Sequence, residues 1–420
     1  MKVNPIEILN GLDGLYAECF NYSETRPDIE ITARTNSISN IKKSRLFSIP
    51  HAIYGHKHRA NKVVSWKLRE NLPADVYATD NHGILKNSLL GENAEARIEH
   101  AARDRCSVIA FFGGSTMMSM GSVTPDFSIP ALVERVLIEK YNKKAVCVNF
   151  ALGGTCCREA FQLYLNEIRL KNVRANIVFY DGWNCATYLT HKKSMQYQLS
   201  EDSPSLVTDA DAMMSIAHNI RLNKAYDLKW HLKTSFNLFI GNLANCIQSF
   251  LPKFIGSQLL RVQGRLFPLN LVQSEISQLL NGSSNSDEFL NSISKRAVDE
   301  YVDLHQLIKS LALPNTGYLW IQQPLVFWGN KPFTQNEKKW NENGYSGGDP
   351  RIFKLFDNNL KAKTLLSPDL FSNFVDMTHV FDEISEELYI DSGHLNRLGS
   401  LIVSVKIADQ IMSKQRDFAL

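Results

Sequence analysis

Three short apolar runs in the first half of the chain each end in small or polar residues. They are SVIAFF (107–112), AVCVNFAL (145–152) and NIVFYDG (176–182). Between them, apolar residues recur at helical spacing over 129–142 and 158–172. Buried strands that alternate with helices of this length are typical of βαβ units and predict a parallel sheet. The pattern also predicts a fourth strand over 317–327 and a closing helix over 399–414.

Differences in composition and hydrophobic pattern divide the chain into four segments. Residues 1–105 are polar and irregular, and we predict that they form an N-terminal elaboration packed on an α/β core. The core is predicted in two halves, at 106–190 and 301–420. Residues 191–300 interrupt the alternation and predict a helical insertion that ends in a flexible connector, NGSSNSDEF (281–289).

The predicted insertion interleaves basic and aromatic residues between positions 221 and 265. This pattern is typical of a helical annex whose aromatic residues form its own core. It also fits a cap that closes over an active site, or a face that lies on a membrane surface. The sequence leaves these three interpretations open, and a charged cap would favour an acidic or phosphate-bearing substrate.

The composition and charge of the chain argue against several classes of protein. The chain has 420 residues, and its 46 basic and 43 acidic residues leave a net charge of +3, too even for a chain-wide nucleic-acid footprint. No apolar run approaches the roughly 18 residues that span a bilayer. The first residues lack the apolar segment of a secretory signal, and seven cysteines do not suit a disulfide framework. We therefore expect a cytoplasmic globular protein without a membrane span and with no nucleic-acid partner.

Polar side chains follow the predicted strands where a parallel sheet presents its carboxyl edge, the edge at which open α/β sheets bind ligands. Ser115 follows the first strand, Gly154 the second and Asn184 the third, while Asp391 and His394 precede the last helix. A serine hydroxyl becomes a nucleophile when a histidine takes its proton and a carboxylate orients that histidine. Backbone N–H groups and a side-chain amide can stabilise the oxyanion. Together these residues predict acyl-transfer chemistry.

In chain order, the blocks GGST, N-x-x-x-x-G, G-x-N and D-x-x-H resemble those of SGNH hydrolases, the GDSL-type esterase superfamily. The resemblance covers about 105–190 and 310–415 and implies a flavodoxin-like, three-layer α/β/α fold. It implies that Ser115 is the nucleophile, His394 the base and Asp391 its orienting partner. It further implies an oxyanion hole formed by Ser115, Gly154 and Asn184.

Three positions depart from the pattern of that superfamily. Gly114 stands where many members have aspartate before the nucleophile, and Cys185 replaces an aspartate that often follows the asparagine of the third block. Ala151 replaces a glycine. None of these changes removes a catalytic atom, so they bring secondary hydrogen bonds into question rather than the mechanism.

The resemblance implies a serine esterase that needs no metal or organic cofactor. The segment QQPLVFWGNKPFT (322–334) is similar to bacterial members found in polysaccharide gene clusters, which favours an O-acyl, and in particular an O-acetyl, ester on a carbohydrate or glycoconjugate. The same residues would also serve an O-acyltransferase that acylates a sugar or small-molecule alcohol. A non-catalytic glycan-binding module is the third alternative, and the sequence does not predict the oligomeric state.

Several other motifs have a structural and a functional interpretation. Candidate substrate contacts are Asp181, Trp183, Gln322 and Gln323, and plain structural hydrogen bonding is an equal alternative for Asp181, Gln322 and Gln323, which lie at strand ends. The G-x-S-x-G match over 344–348 has polar flanks and predicts a turn rather than a nucleophile elbow. His51, His56 and His58 lack a further ligand and are interpreted as solvated loop residues, and the pair Cys156–Cys157 as buried packing.

Overall fold

The fold is taken from a computed structural model that describes most of the chain outside one long internal stretch. The described residues are 9–21, 48–51, 55–58, 60–66, 75–89, 91–118, 120–187, 189–190, 287–343 and 350–420. The chain divides into two compact units, one formed by 1–190 with 294–420 and the other by 191–293. Of the second unit only 287–293 are described, as the start of a helix. The predicted cap and the G-x-S-x-G match therefore lie, apart from that helix, outside the described residues.

The helices and strands are labelled here in chain order. The strands are β1 (Ser48–His51), β2 (Gly55–His58), β3 (Val63–Trp66), β4 (Asp75–Ala78), β5 (Ser107–Gly113), β6 (Ala145–Asn149), β7 (Asn176–Asp181), β8 (Tyr318–Gln322) and β9 (Phe374–Asp376). The α-helices are α1 (Asp13–Asn21), α2 (Ala94–Asp104), α3 (Ile129–Tyr141), α4 (Cys157–Tyr164), α5 (Asp287–Leu311), α6 (Gln335–Asn343), α7 (Pro350–Leu366) and α8 (Arg397–Ser413). A π-turn, Leu165–Arg169, extends α4.

Five of these strands form one sheet in the order β6-β5-β7-β8-β9, and every neighbouring pair is parallel. Counted along the chain within the sheet, this order is 2-1-3-4-5, the order of flavodoxin-like folds. The predicted parallel α/β architecture is confirmed. The strand β9 was not predicted, because three residues are too few to show a hydrophobic period.

The helices flank the sheet on both faces. The connection between two parallel strands through a helix is right-handed. A connection that runs along the sheet in one direction therefore places its helix on one face, and a connection that runs in the opposite direction places its helix on the other face. The β5-to-β6 connection carries α3, which packs on β6 and against α8. The β6-to-β7 and β7-to-β8 connections run the other way and carry α4 and α5. The result is a three-layer α/β/α arrangement.

Aromatic side chains fill the layer between the sheet and the second pair of helices. The ring centroid of Phe112 on β5 lies 5.2 Å from that of Phe179 on β7 and 5.9 Å from that of Tyr164 on α4. The ring of His305 on α5 stacks on Trp320 of β8, with centroids 4.2 Å apart. This packing fixes the strands whose carboxyl ends carry the polar residues.

Several predicted boundaries shift for local reasons. The strand predicted over 145–152 ends at Asn149, whose side-chain oxygen accepts the Ala151 N–H at 3.1 Å and turns the chain. The strand predicted over 317–327 ends at Gln322, just before Pro324, which has no N–H to continue the ladder. Residues 287–289, predicted as connector, begin α5, since acidic residues favour the first turn of a helix.

The N-terminal region contains two antiparallel hairpins, β1–β2 and β3–β4. The Asn87 side chain donates to the Cys147 carbonyl of β6 at 2.8 Å and so ties this region to the core. His56 and His58 lie on β2, and His58 is only 2% exposed. Their interpretation as solvated loop histidines is therefore wrong for His58. None of the described helices is long and apolar enough to cross a membrane.

We expect Phe112→Ala to lower the free energy of unfolding by about 3–5 kcal/mol, because Phe112 is fully buried and its loss leaves a cavity among three aromatic rings. Denaturant titration measures the change. The matched control is Leu170→Ala, since Leu170 is 74% exposed and its removal should cost within about 0.5 kcal/mol. Equal losses for the two variants would contradict the packing described here.

Candidate active site

Ser115 lies just beyond β5, where two glycines let the chain turn sharply. A Cβ at Gly113 would fall well inside contact distance of the Tyr180 carbonyl oxygen on β7, so only glycine permits this approach. The turn that follows is closed by N–H groups of Met118 and Met120, which donate to the carbonyls of Gly114 and Ser115 at 3.1 and 3.2 Å. The Ser115 side chain is left half-buried at the carboxyl edge of the sheet.

His394 and Asp391 come to the same edge from the turn that precedes α8. The Nε2 atom of His394 lies 2.8 Å from the Ser115 Oγ, and its Nδ1 lies 2.7 Å from the Asp391 Oδ2. The other Asp391 oxygen accepts the N–H groups of Gly393 at 2.8 Å and His394 at 2.7 Å. The predicted nucleophile, base and orienting carboxylate therefore form one hydrogen-bonded series.

The electrostatics of this series favour an ionised Asp391. Burial acts to raise the pKa of Asp391, but attraction to His394 and the hydrogen bonds it accepts outweigh burial and lower the pKa below its usual range. A carboxylate whose pKa falls on folding stabilises the fold above its unfolded pKa, and this contribution is lost as pH falls through the lowered value. At neutral pH the charge of Asp391 thus fixes the ring of His394 with Nδ1 as the donor.

The backbone N–H groups of Ser115 and Gly154 are candidate donors to an anion beside Ser115. Gly154 has a φ of +77°, a left-handed conformation suited to glycine, and it is exposed. Within the described part of the chain, neither the Gly154 nor the Ser115 N–H donates to a protein acceptor. A Cβ at Gly153 would lie 4.0 Å from the Ser115 Cβ, which places the two loops side by side.

The Asn184 side-chain amide, which follows the end of β7, contacts both of these loops. Its Nδ2 donates to the Thr155 carbonyl at 2.7 Å, and residues 183–187 around it are helical. A Cβ at Gly114 would lie 2.6 Å from that same Nδ2 and 3.1 Å from the Thr155 oxygen. The amide therefore lies directly over Gly114. This contact explains why no aspartate fits at position 114 in this arrangement.

The other departures also have partners in the structure. The Cys185 Sγ accepts the Cys157 N–H at 3.1 Å, so a hydrogen bond still links the Asn184 segment to the start of α4. Burial raises the pKa of the Cys157 and Cys185 thiols well above the usual value. The Cys157 thiol is thus a poor nucleophile, in agreement with its interpretation as a packing residue. Hydrogen bonds with the Cys157 and Cys185 thiols instead lower the pKa of the buried Cys156 thiol well below its usual value, so the packing interpretation is not supported for Cys156.

Three of the four candidate substrate contacts are buried and bonded to protein groups. The Asp181 carboxylate accepts the Tyr301 hydroxyl and faces α5, with its second oxygen 3.4 Å from the His305 Nε2. The Gln322 side-chain amide donates to the Asp357 carboxylate at 3.1 Å, and the Gln323 side-chain oxygen (Oε1) accepts the Thr116 hydroxyl at 3.0 Å. The structure favours the alternative of structural hydrogen bonding for Asp181, Gln322 and Gln323.

Trp183 occupies a different position from the other three candidates. Its side chain is half-buried, with the ring centroid 4.6 Å from that of Phe353. A Cβ at Gly393 would lie 2.9 Å from the Trp183 Cε3, so the indole borders the Asp391–His394 turn. Trp183 therefore remains a candidate for contact with a bound substrate.

One contributor to the site was not predicted: Asp75 on β4 binds the loop that follows the serine. Gln323, a predicted candidate, supports Thr116, the neighbour of Ser115. A lone aspartate in a polar N-terminal segment carries no sequence signal for such a contact. Among the described residues, no group of three His, Cys, Asp or Glu side chains is placed to hold a metal ion.

Comparison with known proteins gives only distant matches. No family profile and no curated sequence matches the chain. Among solved structures, a variant of an acetyl xylan esterase from Geobacillus stearothermophilus is similar at 12% identity and a TM-score of 0.34, over 73% of this chain and 94% of that one. A lipase/acylhydrolase from Enterococcus faecalis is similar at 11% identity and a TM-score of 0.32, over 73% and 96%.

A third solved structure, phospholipase A1 from Streptomyces albidoflavus, is similar at 10% identity and a TM-score of 0.30, over 74% of this chain and 99% of that one. These values do not identify a family. The α/β fold and the geometry of the site follow from the chain's own residues.

We expect Gly114→Ala to slow the reaction of Ser115 with an organophosphonate by about 100-fold, because the new Cβ displaces the Asn184 amide and weakens one donor to the anion. Mass spectrometry of the adduct over time gives the rate. Gly14→Ala is the control, since a Cβ there meets nothing within 4 Å. An unchanged rate in Gly114→Ala would show that Asn184 does not contribute.

Proposed function

We propose that this protein is a serine hydrolase of the SGNH type that cleaves an acyl ester through a covalent acyl-enzyme. The observation that carries the proposal is the series of hydrogen bonds from Ser115 Oγ to His394 Nε2, at 2.8 Å, and from His394 Nδ1 to Asp391, at 2.7 Å. These distances lie within the reach that a nucleophile, a base and its orienting group require.

In the first half of the reaction, the Ser115 oxygen attacks the carbonyl carbon of the ester while its proton passes to the His394 Nε2. The resulting tetrahedral intermediate collapses, the bond to the alcohol oxygen breaks, and the imidazolium returns its proton to that oxygen. The alcohol leaves, and the acyl group stays on Ser115. Asp391, ionised because its pKa is lowered, stabilises the imidazolium while it exists.

In the second half, water reaches the acyl-enzyme and gives a proton to the His394 Nε2 as it attacks the acyl carbon. The second tetrahedral intermediate collapses, the bond to the Ser115 oxygen breaks, and that oxygen recovers the proton. A carboxylic acid is released. The half-buried side chains of Ser115 and His394 and the exposed Gly154 support access of water to this edge of the sheet.

The tetrahedral oxyanion needs donors that are in place before the reaction begins. The Ser115 and Gly154 N–H groups have no protein acceptor within the described residues, and Asn184 retains one amide hydrogen beyond the one given to Thr155. Each such donor is worth about 3 kcal/mol of the barrier. We assign these three groups to the oxyanion hole.

The proposal for the substrate class rests on the resemblance of the sequence alone, not on contacts in the structure. The resemblance of the sequence blocks to SGNH esterases favours an O-acyl, in particular an O-acetyl, ester of a carbohydrate or glycoconjugate. A panel of p-nitrophenyl esters of increasing chain length, followed by acetylated sugars, tests the acyl group and then the alcohol. Release of the free carboxylic acid supports hydrolysis, whereas detection of an acylated acceptor would show that the reaction is acyl transfer instead. No turnover, with no labelled serine, would leave only a glycan-binding module.

We expect Ser115→Ala to reduce ester turnover on the order of 10⁶-fold, since the covalent route is removed. Its unfolding temperature should stay near that of the wild type, because only one half-buried hydroxyl is lost. Steady-state kinetics and thermal unfolding check the two parts. Ser346→Ala, which alters the G-x-S-x-G match, is the control and should keep full activity. Loss of turnover in that control instead would overturn the assignment of Ser115.

We expect kcat/KM to rise with pH as His394 loses its proton, because only the neutral imidazole accepts the serine proton. Asp391→Asn removes a neighbouring negative charge that favours the imidazolium, so the acid limb should move to lower pH. The maximal kcat/KM of Asp391→Asn should fall on the order of 10⁴-fold relative to the wild type, which is a smaller loss than in His394→Ala. A pH–rate profile measures both effects, and an acid limb at the same pH in Asp391→Asn would contradict the pairing.

A further inference from the structure

The loop between Ser115 and α3 is held by the N-terminal region. The carboxylate of Asp75, on β4, accepts the Gly121 N–H at 3.0 and 3.1 Å and the Val123 N–H at 2.9 Å. Asp75 is only 3% exposed, so these bonds form away from water, where they are strong. The Val76 N–H of the same strand donates to the Val123 carbonyl at 2.8 Å.

The backbone at Val123 is strained and needs this support. Its φ of 69° lies in the left-handed region, which a β-branched residue rarely occupies. Such a conformation persists only where its surroundings fix it. The β4 strand binds both the N–H and the carbonyl of Val123. Arg397 on α8 adds a bond from its Nε to the Ser122 carbonyl at 2.8 Å.

Gly121, which Asp75 binds, packs directly against the turn that contains His394. Its φ is +99°, and a Cβ there would clash with the Leu395 carbonyl oxygen and approach the Ile390 side chain. Ile390 and Leu395 flank the turn that holds Asp391 and His394, and the Ile390 N–H donates to the His394 carbonyl at 3.0 Å. The Gly121 peptide thus touches the chain immediately before and immediately after that turn.

The same loop is bound to the nucleophile at its other end. The Met120 N–H donates to the Ser115 carbonyl at 3.2 Å, and Gly121 follows directly. One short segment therefore contacts both the serine and the histidine turn, which are 279 residues apart in the chain. The bonds that fix the segment come from neither of them. Asp75 and Val76 on β4 bind Gly121 and Val123, and Arg397 binds the Ser122 carbonyl.

We propose that Asp75 is a positioning residue for catalysis: by holding residues 121–123 against the histidine turn, it keeps Ser115 and His394 at reacting distance. The inference rests on the proposed function and extends it to the N-terminal region, which becomes part of the active site. A displacement of about 1 Å between reacting groups costs on the order of 100-fold in rate. The alternative is that Asp75 contributes to stability alone.

Asp80 provides a matched control for that alternative. It is 1% exposed, lies in the same region and also accepts backbone N–H groups, from His82, Ile84 and Ala94, at 2.8, 2.9 and 3.1 Å. None of these bonds reaches the loop at 121–123. Asp75→Ala and Asp80→Ala should therefore both lower the unfolding temperature, while only Asp75→Ala disturbs the site.

The test measures two quantities on the full chain, well below the unfolding temperature of each variant. The first is the rate constant for organophosphonate addition to Ser115, with kcat and KM for p-nitrophenyl acetate. Asp75→Ala should lower the rate constant and kcat by about 100-fold with KM little changed, and Asp80→Ala should change each less than about threefold. The second is hydrogen exchange, which should accelerate in peptides over 114–124 and 388–396 for Asp75→Ala alone.

A rescue variant keeps the test decisive if Asp75→Ala does not fold. Asp75→Asn keeps the size of the side chain but replaces one of the two accepting oxygens with an NH2 group, so it should also lower the rate constant. Glycine adopts the left-handed backbone of position 123 without strain, so adding Val123→Gly to Asp75→Asn should raise that rate constant by at least about tenfold. Equal kinetic losses in Asp75→Ala and Asp80→Ala, or no rescue, would overturn the proposal. A wild-type protein that never reacts with the phosphonate would refute the proposed function instead, and the exchange measurement would still decide whether Asp75 holds the loop.

Discussion

The arrangement depends on one hydrogen bond, between the Ser115 Oγ and the His394 Nε2, which lie 2.8 Å apart but 279 residues apart in sequence. Two segments reach one point because the parallel sheet brings the carboxyl ends of its strands to a single edge. The serine follows β5 at that edge, with β6 and β7 on either side. The glycines at 113 and 114 then let the serine turn approach β7 without a side chain in the way.

Asp391 and three polar side chains at the ends of the neighbouring strands are each held by at least one protein hydrogen bond, which helps to fix the geometry of this bond. The second polar atom of Asp181, Gln322 and Gln323 has no hydrogen-bond partner among the described residues. Asp391 accepts from the His394 ring and from two backbone N–H groups. Asp181, Gln322 and Gln323, at the ends of the neighbouring strands, bind other protein groups rather than face the site. The polar edge therefore separates into a buried supporting layer and a partly exposed layer that contains Ser115 and His394, and we propose that a substrate meets the latter.

The sheet and the central site residues were accessible from sequence because each leaves a local signal. Apolar runs of strand length that alternate with helix-length patterns predict parallel strands, and a polar residue directly after such a run predicts a place on the sheet edge. Three-residue β9 leaves no period to detect. The roles of Gln323 and Asp75 depend on contacts across 207 and 48 residues, which no spacing rule anticipates. The burial of His58 on a short strand likewise follows from its tertiary neighbours, not from the polar sequence around it.

The structure of the organophosphonate adduct tests the central claim most directly. We expect phosphorus bonded to the Ser115 Oγ, with the phosphoryl oxygen about 2.7–3.1 Å from the Ser115 N–H, the Gly154 N–H and the Asn184 amide. We also expect the His394 Nε2 to stay within hydrogen-bonding distance of the Ser115 oxygen. An adduct on another residue, or a phosphoryl oxygen directed to solvent with these three donors unused, would contradict the proposed mechanism.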